Sequence, residues 1–507
     1  MPATPTSFGP GSKLILPGSG PLRFGSRPSD LWRPGVTAAE AQARSELAGR
    51  LGSQTMVMFA GYAFTLLCGF PFQIYLARKL GAHDLGIYSL AEGAVVIIAG
   101  LCAIGLSPMV MRFVPEHLVA GEGQHVRTLV VGSGLLLLAI GAAAMLFVLA
   151  FVRPLQSLFG IAPAYGDLMK LMAALIPLTL LVFFFQQVLR GFQEIIYIVA
   201  ATSVVALTTK IAATVFFFDR GLLLPGYALA NILSLIAALS LMAGKAAWLV
   251  RGMGAGQPCG PPPVRRWFRF AATSYTADLL STLVGQSDRF ILGAAVGPAA
   301  VGVLAVVRQL QQFPNIFNQM FLTVVSPMFA ASNDPSRHAD RQTLYSLMMD
   351  WVLRLALPMI LFLMLFGGEL LDVYGPQYRE QGVLALQLMV LAVGLNFLFG
   401  PTGALLNMSG LEAPLLRLSM ISLAILIGCY FLLGPVLGLP GLGLGAIAST
   451  LFLNWTCMVL ARRRLQLRWW TSRNVGWMIS GAVALLIGIV MKGVTGLPGG
   501  LPVFLVT

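Results

Sequence analysis

The sequence repeats itself across its midpoint, and this repeat limits the folds that the chain can adopt. The stretch QIYLARKLGAHDLGIYSLAE at 73–92 returns 216 positions later as RFILGAAVGPAAVGVLAVVR at 289–308. Two glycines of the first copy return in the second: Gly81 corresponds to Gly297, and Gly86 corresponds to Gly302. Within each copy, we predict a short turn between the two glycines. Further matches on both sides keep shifts of 215 to 219 positions. A duplicated unit of about six membrane spans is a plan that many secondary transporters share.

Long apolar runs separate these motifs. The chain is 57% hydrophobic and only 10% charged, whereas soluble domains are about 25% charged. A membrane-spanning helix needs roughly 20 apolar residues, and by this criterion the sequence offers about thirteen runs. The runs do not alternate polar with apolar residues as barrel strands do. We therefore predict an all-α, polytopic integral membrane protein.

The repeat and the breaks between runs divide the chain into two pseudo-symmetric six-helix lobes, which we expect to surround a central cavity. The predicted parts are a disordered cytoplasmic tail at 1–51, a first lobe at 52–250, a cytoplasmic linker at 251–269, a second lobe at 270–461, and an extra span with a tail at 462–507.

The net charge of +14 reflects topology more than a nucleic-acid partner. Lys and Arg are concentrated in the N-terminal tail and in alternate connections, and cytoplasmic loops of membrane proteins collect these residues. Both ends of the twelve-span unit are therefore predicted to face the cytoplasm. Five cysteines without CxxC spacing imply no disulfide framework, and four histidines, interpreted as loop residues, show no metal-ligand spacing. No metal and no cofactor are expected.

Three segments carry a resemblance to a known family: LARKLGAHDLGIYSL with its second-half echo, RFVPEHLVAGEGQHVRTL at 112–129, and LLNMSGLEAP at 405–414. In these segments the chain resembles the Wzx-like oligosaccharide flippases, which are polysaccharide biosynthesis proteins of the multidrug/oligosaccharidyl-lipid/polysaccharide exporter superfamily. The resemblance implies a bacterial inner-membrane protein that moves polyprenyl-diphosphate-linked oligosaccharide outward by alternating access of two lobes. It also implies glycan assembly partners for lipopolysaccharide or related polysaccharides.

Polar side chains inside the predicted spans are candidates for substrate contact, because charge within a membrane is costly. Arg289 shares one face of the seventh run with Ser274, Asp278, Ser281 and Gly285. The eighth run carries a polar stripe, and two further candidates lie in the first half. The predicted substrate-binding residues are Arg308, Arg289, Lys210, Gln312, Asn315, Gln319 and Gln73.

A structural interpretation stands beside each of these candidates. The small residues also suit close helix packing, and Arg308 could form an internal ion pair with Glu92 or Asp288. Asp350 and Arg354 are spaced i, i+4, which favours mutual neutralisation. Residues with a coupling or charge-balancing role are predicted to be Asp278, Asp288, Glu92, Asp350 and Arg354.

The function that we predict is a lipid-linked oligosaccharide flippase and not an enzyme. Gly81 and Gly86 lack the Lys-Ser/Thr that a nucleotide phosphate loop requires. A lipid II flippase or a cation-coupled multidrug antiporter of the same superfamily is the nearest alternative, and a membrane glycan polymerase or ligase is a further one. Proton or sodium coupling stays open.

Overall fold

A computed structural model describes residues 13–16, 19–23, 38–254, 260–331, 338–409, 411–465 and 472–495. Nearly all of these residues are helical, which confirms the predicted all-α class. Near the N-terminus, strands β1 (Lys13–Leu16) and β2 (Ser19–Arg23) form an antiparallel hairpin. The first helix begins at Ala38. The segment 1–51, predicted as a disordered tail, therefore contains a hairpin and the start of a helix.

The helices of the first half are α1 (Ala38–Cys102), α2 (Leu106–Val119), α3 (Gly123–Ala150), α4 (Val152–Phe159), α5 (Gly166–Ala173), α6 (Leu175–Gly191), α7 (Ile195–Val199), α8 (Ala206–Asp219) and α9 (Leu224–Arg251). A π-helical turn, Ala200–Val205, joins α7 to α8. The helices of the second half are α10 (Val264–Ala295), α11 (Pro298–Ala331), α12 (His338–Tyr374), α13 (Pro376–Phe399), α14 (Thr402–Met408), α15 (Glu412–Leu437), α16 (Leu439–Leu465) and α17 (Ser472–Thr495).

Nine helical segments among the described residues are long and apolar enough to cross a membrane. The longest, Met56–Cys102, has 47 residues, about twice the roughly 20 that one membrane-spanning helix needs. Its backbone leaves the helical conformation at Gly81, with φ 76° and ψ 171°. The segment therefore consists of two helices that meet at Gly81, one containing the first predicted run and the other most of the second.

Helix breaks fall at equivalent positions in the two copies of the internal repeat. Gly81 and Gly297 both adopt positive φ, 76° and 114°, a conformation that glycine reaches without the steric cost of a side chain. The equivalent pairs Gly160 with Gly375 and Gly221 with Gly438 share this property. Gly81 and Gly297 are thus turn glycines, as the sequence predicted.

Gly86 and Gly302 correct that prediction, since both lie inside helices and not at a turn. A β-carbon on Gly86 would overlap the carbonyl oxygen of Pro298 and lie 2.9 Å from the Gly302 nitrogen. Reciprocally, a β-carbon on Gly302 would overlap the carbonyl oxygen of Ala82 and lie 3.0 Å from the Gly86 nitrogen. The two repeat-related helices cross with their backbones in direct contact, and only glycine fits at this crossing.

The chain forms two compact units. The first comprises Met1–Phe72, Ala94–Ser157 and Ala162–Leu283, and the second comprises Gln73–Gly93, Leu158–Ile161 and Val284–Thr507. This division differs from the predicted lobes at 52–250 and 270–461, because 73–93 joins the second half and 270–283 joins the first. The crossing of Gly86 and Gly302 is one reason, since it packs 73–93 onto the start of α11.

Candidate functional site

Four charged side chains meet inside the second unit, and we refer to Glu92, Asp288, Arg289 and Arg308 as the charged cluster. Arg308 Nη2 forms an ion pair with Asp288 Oδ2. Arg289 Nη1 lies 3.4 Å from Glu92 Oε2. The backbone N–H of Arg289 donates to Asp288 Oδ1 at 2.8 Å. Two acids and two bases are therefore paired within one group.

The repeat explains how these residues come together. Glu92 and Arg308 occupy equivalent positions, 216 residues apart, and each reaches a member of the adjacent pair Asp288-Arg289 on α10. Backbone carbonyls complete the arrangement: Arg289 Nη1 donates to the Ser89 oxygen and Arg308 Nη1 to the Gly285 oxygen, both at 3.3 Å.

Burial within the cluster is uneven. The Asp288 side chain is 1% exposed, whereas that of its partner Arg308 is 33% exposed. Removing one partner of a buried pair leaves an uncompensated charge, at a cost of about 3–5 kcal/mol. Asp288 therefore depends on Arg308, while part of the Arg308 guanidinium stays accessible.

Tyr430 on α15 also lies beside the cluster, close to Arg308 and Asp288. The tyrosine is 5% exposed. No pattern in the sequence indicated this contact, because Tyr430 stands alone in an apolar run and its neighbours come from distant segments.

The structure thus contains the internal ion pair that the sequence left as the alternative for Arg308, with Asp288 and not Glu92 as the partner. Along the same helix, Gln312 is exposed and Asn315 is half-buried, and Asn315 Nδ2 approaches the Gln311 carbonyl at 3.5 Å. Gln319 lies on α11, but its side chain is outside the described set. Gln73 is half-buried in the same unit.

Lys210 and Asp278 belong to the first unit. Lys210 is half-buried on α8, with Nζ 4.9 Å from the centre of the Tyr227 ring, a cation–π distance. Asp278 is exposed on α10.

Asp350 and Arg354 form the ion pair that their spacing predicted, with Arg354 Nη2 2.9 Å from Asp350 Oδ2. Trp477 of α17 donates from Nε1 to Asp350 Oδ1 at 2.8 Å, and its ring lies 5.6 Å from the Arg354 guanidinium. These contacts fasten α17 to α12 and support a structural role for the pair.

A second polar group lies in the first unit, at the corner between α2 and α3. Glu122 Oε2 is 2.6 Å from His117 Nδ1 and 3.1 Å from His125 Nδ1. Both histidines are buried within helices, so their interpretation as loop residues was wrong. Among the described residues, these three bring ligand-type atoms within 4.8 Å of one another. However, Trp267 donates from Nε1 to His117 Nε2 at 3.1 Å. This leaves the ring proton on Nδ1, where a metal would have to bind.

A small cavity of about 180 Å³ lies among α12, α13, α14, α15 and α16 of the second unit. Its lining is mostly apolar, including Met348, Met349 and Val352. One polar contact borders it, in which Asn454 Nδ2 donates to Asn396 Oδ1 at 3.0 Å. No pattern in the sequence indicated this cavity.

Comparison with solved structures identifies the fold. An inward-facing multidrug resistance MATE family transporter of the MOP superfamily matches with a TM-score of 0.63 and 18% identity, over 78% of this chain and 94% of that one. A MATE transporter of Vibrio cholerae matches with a TM-score of 0.60 and 18% identity, over 83% and 98%. A MOP superfamily transporter from Pyrococcus furiosus matches with a TM-score of 0.58 and 17% identity, over 82% and 95%. The fold is that of the MATE transporters, in a multi-pass membrane protein.

Comparison of the sequence with models of protein families identifies the family of this chain. Residues 51–333 match the model of the polysaccharide biosynthesis protein family, and the chain belongs to that family. A protein of Shigella flexneri that is named as an O-antigen transporter is 23% identical over 349 residues, which cover 67% of this chain and 80% of that protein. The resemblance to Wzx-like proteins is therefore confirmed.

Proposed function

We propose that this protein is a flippase that carries lipid-diphosphate-linked oligosaccharide from the cytoplasmic to the outer leaflet of the bacterial inner membrane. The match to the polysaccharide biosynthesis family carries this proposal. The name of the Shigella relative supports a glycan substrate. The MATE-like fold supports movement by alternating access and argues against a polymerase or ligase.

The charged cluster is the proposed contact for the diphosphate. A guanidinium has five N–H donors, and Arg308 remains one-third exposed although it is paired with Asp288. A phosphate oxygen can therefore be bound by Arg308 without loss of that ion pair. Arg289 has a similar partner in Glu92 but is only 21% exposed, so we expect its contribution to be smaller. Lys210, Gln312, Asn315, Gln319 and Gln73 remain proposed contacts for the diphosphate or the sugars.

Substitution of Arg308 tests this role. We expect Arg308→Ala to lose glycan export and Arg308→Lys to recover part of it, since lysine keeps the charge but not the fork of donors. Export would be measured in a strain that lacks its own flippase, with membrane-inserted protein quantified in parallel. Arg379→Ala is the matched control, because Arg379 is also ion-paired, with Asp372 at 3.3 Å, but is half exposed.

Loss of export in Arg308→Ala could also arise from the unpaired, buried Asp288. The double variant Arg308→Met/Asp288→Leu removes both charges and replaces them with apolar groups of similar size, which is often neutral for folding. A double variant that folds normally but does not export assigns Arg308 to the substrate. Wild-type export in this variant would place the pair among structural contacts.

The localisation is part of the proposal. We place the N-terminus, the 251–269 linker and the 461–474 segment on the cytoplasmic side, because Lys and Arg concentrate there. Reporter fusions at Gly256 and Arg468 would test this placement. Periplasmic signals from both fusions would contradict it.

A cation-coupled drug antiporter is the second candidate, favoured by the MATE fold and by the carboxylates of Asp278 and Asp288. The pairing of Asp288 with Arg308 supports charge balancing over ion transport for this aspartate. An antiporter would confer drug resistance that depends on a proton or sodium gradient, and Asp→Asn substitution would abolish it. A flippase would not give this result.

A further inference from the structure

The hydrogen bonds around His117 fix the position of its ring proton. Trp267 Nε1 is 3.1 Å from His117 Nε2, and an indole N–H can only donate. His117 Nε2 is therefore an acceptor without hydrogen. The proton lies on Nδ1 and is donated to Glu122 Oε2 at 2.6 Å. His117 is a neutral, fully paired imidazole.

The hydrogen bonds of His125 require a different protonation state. Its Nε2 is 2.8 Å from the Gly260 carbonyl oxygen, which can only accept, so Nε2 carries a hydrogen. Its Nδ1 is 3.1 Å from Glu122 Oε2, and a carboxylate oxygen also accepts. Both ring nitrogens must donate for both contacts to form, and this occurs only in the imidazolium ion.

We propose that His125, Glu122 and the Gly260 carbonyl form a proton-operated clasp that holds the segment entering α10 against the corner between α2 and α3. With His125 protonated, one ring ties Glu122 to the linker backbone. Loss of the proton removes one of the two donors, so one contact must break. Since α10 also carries Asp288 and Arg289, the clasp makes the anchoring of that helix sensitive to pH on the linker side.

The ionisation of Glu122 supports this assignment. Hydrogen bonds from His125 and then from His117 lower the pKa of the Glu122 carboxyl group below its ordinary value. The carboxylate therefore stays charged throughout the range in which histidine titrates, and the proton shared with His125 resides on the imidazole.

Other charged groups on the packed elements do not replace Glu122 as the partner. Glu116 is already paired with Arg266, with Oε1 2.6 Å from Nη1, and the Arg112 guanidinium lies 4.5 Å from the centre of the Phe270 ring. On α5 Lys170 is paired with Asp167 at 2.8 Å, and on α9 Lys245 is paired with Glu194 at 3.1 Å. Exposed charged groups are Arg127 on α3, Arg190 on α6, Arg251 on α9, and Arg265, Arg269 and Asp278 on α10. Among the described residues, Glu122 supplies the carboxylate that contacts His125.

The pH dependence has a definite sign. The His125 contacts are present while the imidazole is protonated and are lost as pH rises. The Glu122 contribution is present above the ordinary carboxyl pKa and is lost only as pH falls through its lowered value. The clasp is therefore closed while His125 carries its second proton and opens as rising pH removes that proton.

The native Cys259 directly precedes Gly260 and reports on the clasp without any transport assay. The other four cysteines would first be replaced by serine: Cys68, Cys102, Cys429 and Cys457. Maleimide labelling of Cys259 would then be followed from about pH 6 to about pH 8.5, on either side of the ordinary histidine value. At each pH, the rate of a variant is divided by the rate of the parent, which cancels the ionisation of the thiol.

We expect His125→Gln to be labelled about tenfold faster than the parent at the acid end, the ratio that one charge-assisted hydrogen bond can sustain. The two rates should converge at the alkaline end. Glu122→Gln should lose protection in the same direction and provides the test if His125→Gln does not fold. His83→Gln is the control, because the His83 side chain is 59% exposed, and its rate should equal that of the parent at every pH.

Two results would overturn the proposal. A His125→Gln to parent ratio that is the same at every pH would show that no titration is involved. Protection that requires added zinc and disappears with a chelator would show a metal site in place of a proton clasp.

Discussion

The crossing of Gly86 and Gly302 gives the sharpest test of the structure. A β-carbon on Gly86 would lie 2.6 Å from the Pro298 carbonyl carbon and 2.9 Å from the Gly302 nitrogen, whereas ordinary contacts of this kind lie at 3.4–4 Å. These neighbours are all backbone atoms, which cannot rotate away. In Gly86→Ala the two helices must therefore move apart by about 1 Å, in a region where packing leaves little free space.

Overpacking a well-filled interior costs about 1–3 kcal/mol, sometimes more, and contact with backbone places Gly86→Ala at the upper end. For a unit of this size, 3 kcal/mol corresponds to roughly 6–12 °C in melting temperature. We expect a similar loss in Gly302→Ala, because its β-carbon would lie 2.8 Å from the Ala82 carbonyl carbon. The measurement is thermal stability in detergent, followed by fluorescence-detected size exclusion.

Gly132→Ala and Gly244→Ala are matched controls, since both glycines are inside helices and a β-carbon at either position meets nothing within 4 Å. Alanine is a better helix former than glycine by about 0.5–1 kcal/mol, so these variants should melt at or above the wild-type temperature. If Gly86→Ala and Gly302→Ala melt together with the controls, the backbone contact between the repeats is wrong.

Two further predictions concern the anchoring of α17 and the driving force. Trp477→Phe removes the hydrogen bond to Asp350 but keeps an aromatic ring, so it should lower stability by about 1 kcal/mol and leave export intact. Lost export with normal stability would contradict the structural role. A membrane potential should drive export without an ion gradient, since each uncompensated negative charge moving outward gains about 2.3 kcal/mol per 100 mV. Proteoliposomes with a valinomycin-set potential would test this, and movement that requires a proton or sodium gradient would contradict it.

The sequence predicted those features that depend on neighbours along the chain. Apolar run lengths indicated the helical membrane class, and matched glycines indicated the repeat and the turns at Gly81 and Gly297. The i, i+4 spacing indicated the ion pair of Asp350 with Arg354. Each of these follows from backbone geometry within one helix or one turn.

The features that could not be predicted from the sequence depend on contacts between distant segments. Spacing alone cannot distinguish a turn glycine from a glycine at a helix crossing, so Gly86 and Gly302 were misassigned. His117 and His125 were interpreted as loop residues because the segment 112–129 lies between two long apolar runs. The segment 112–129 that carried the family resemblance contains both histidines, and it was the available signal for that corner.

The charged cluster shows how the two copies of the repeat have diverged in chemistry while keeping their geometry. Equivalent positions carry opposite charges, Glu92 in the first copy and Arg308 in the second. Glu92 is paired with Arg289, and Arg308 is paired with the adjacent residue Asp288. The equivalents of that adjacent pair in the first copy are the uncharged Phe72 and Gln73. A lone charge within a membrane span costs about 2.5–3.5 kcal/mol on insertion scales. Partners for both Asp288 and Arg289 offset this cost, and the cluster supplies them while leaving the Arg308 side chain one-third exposed.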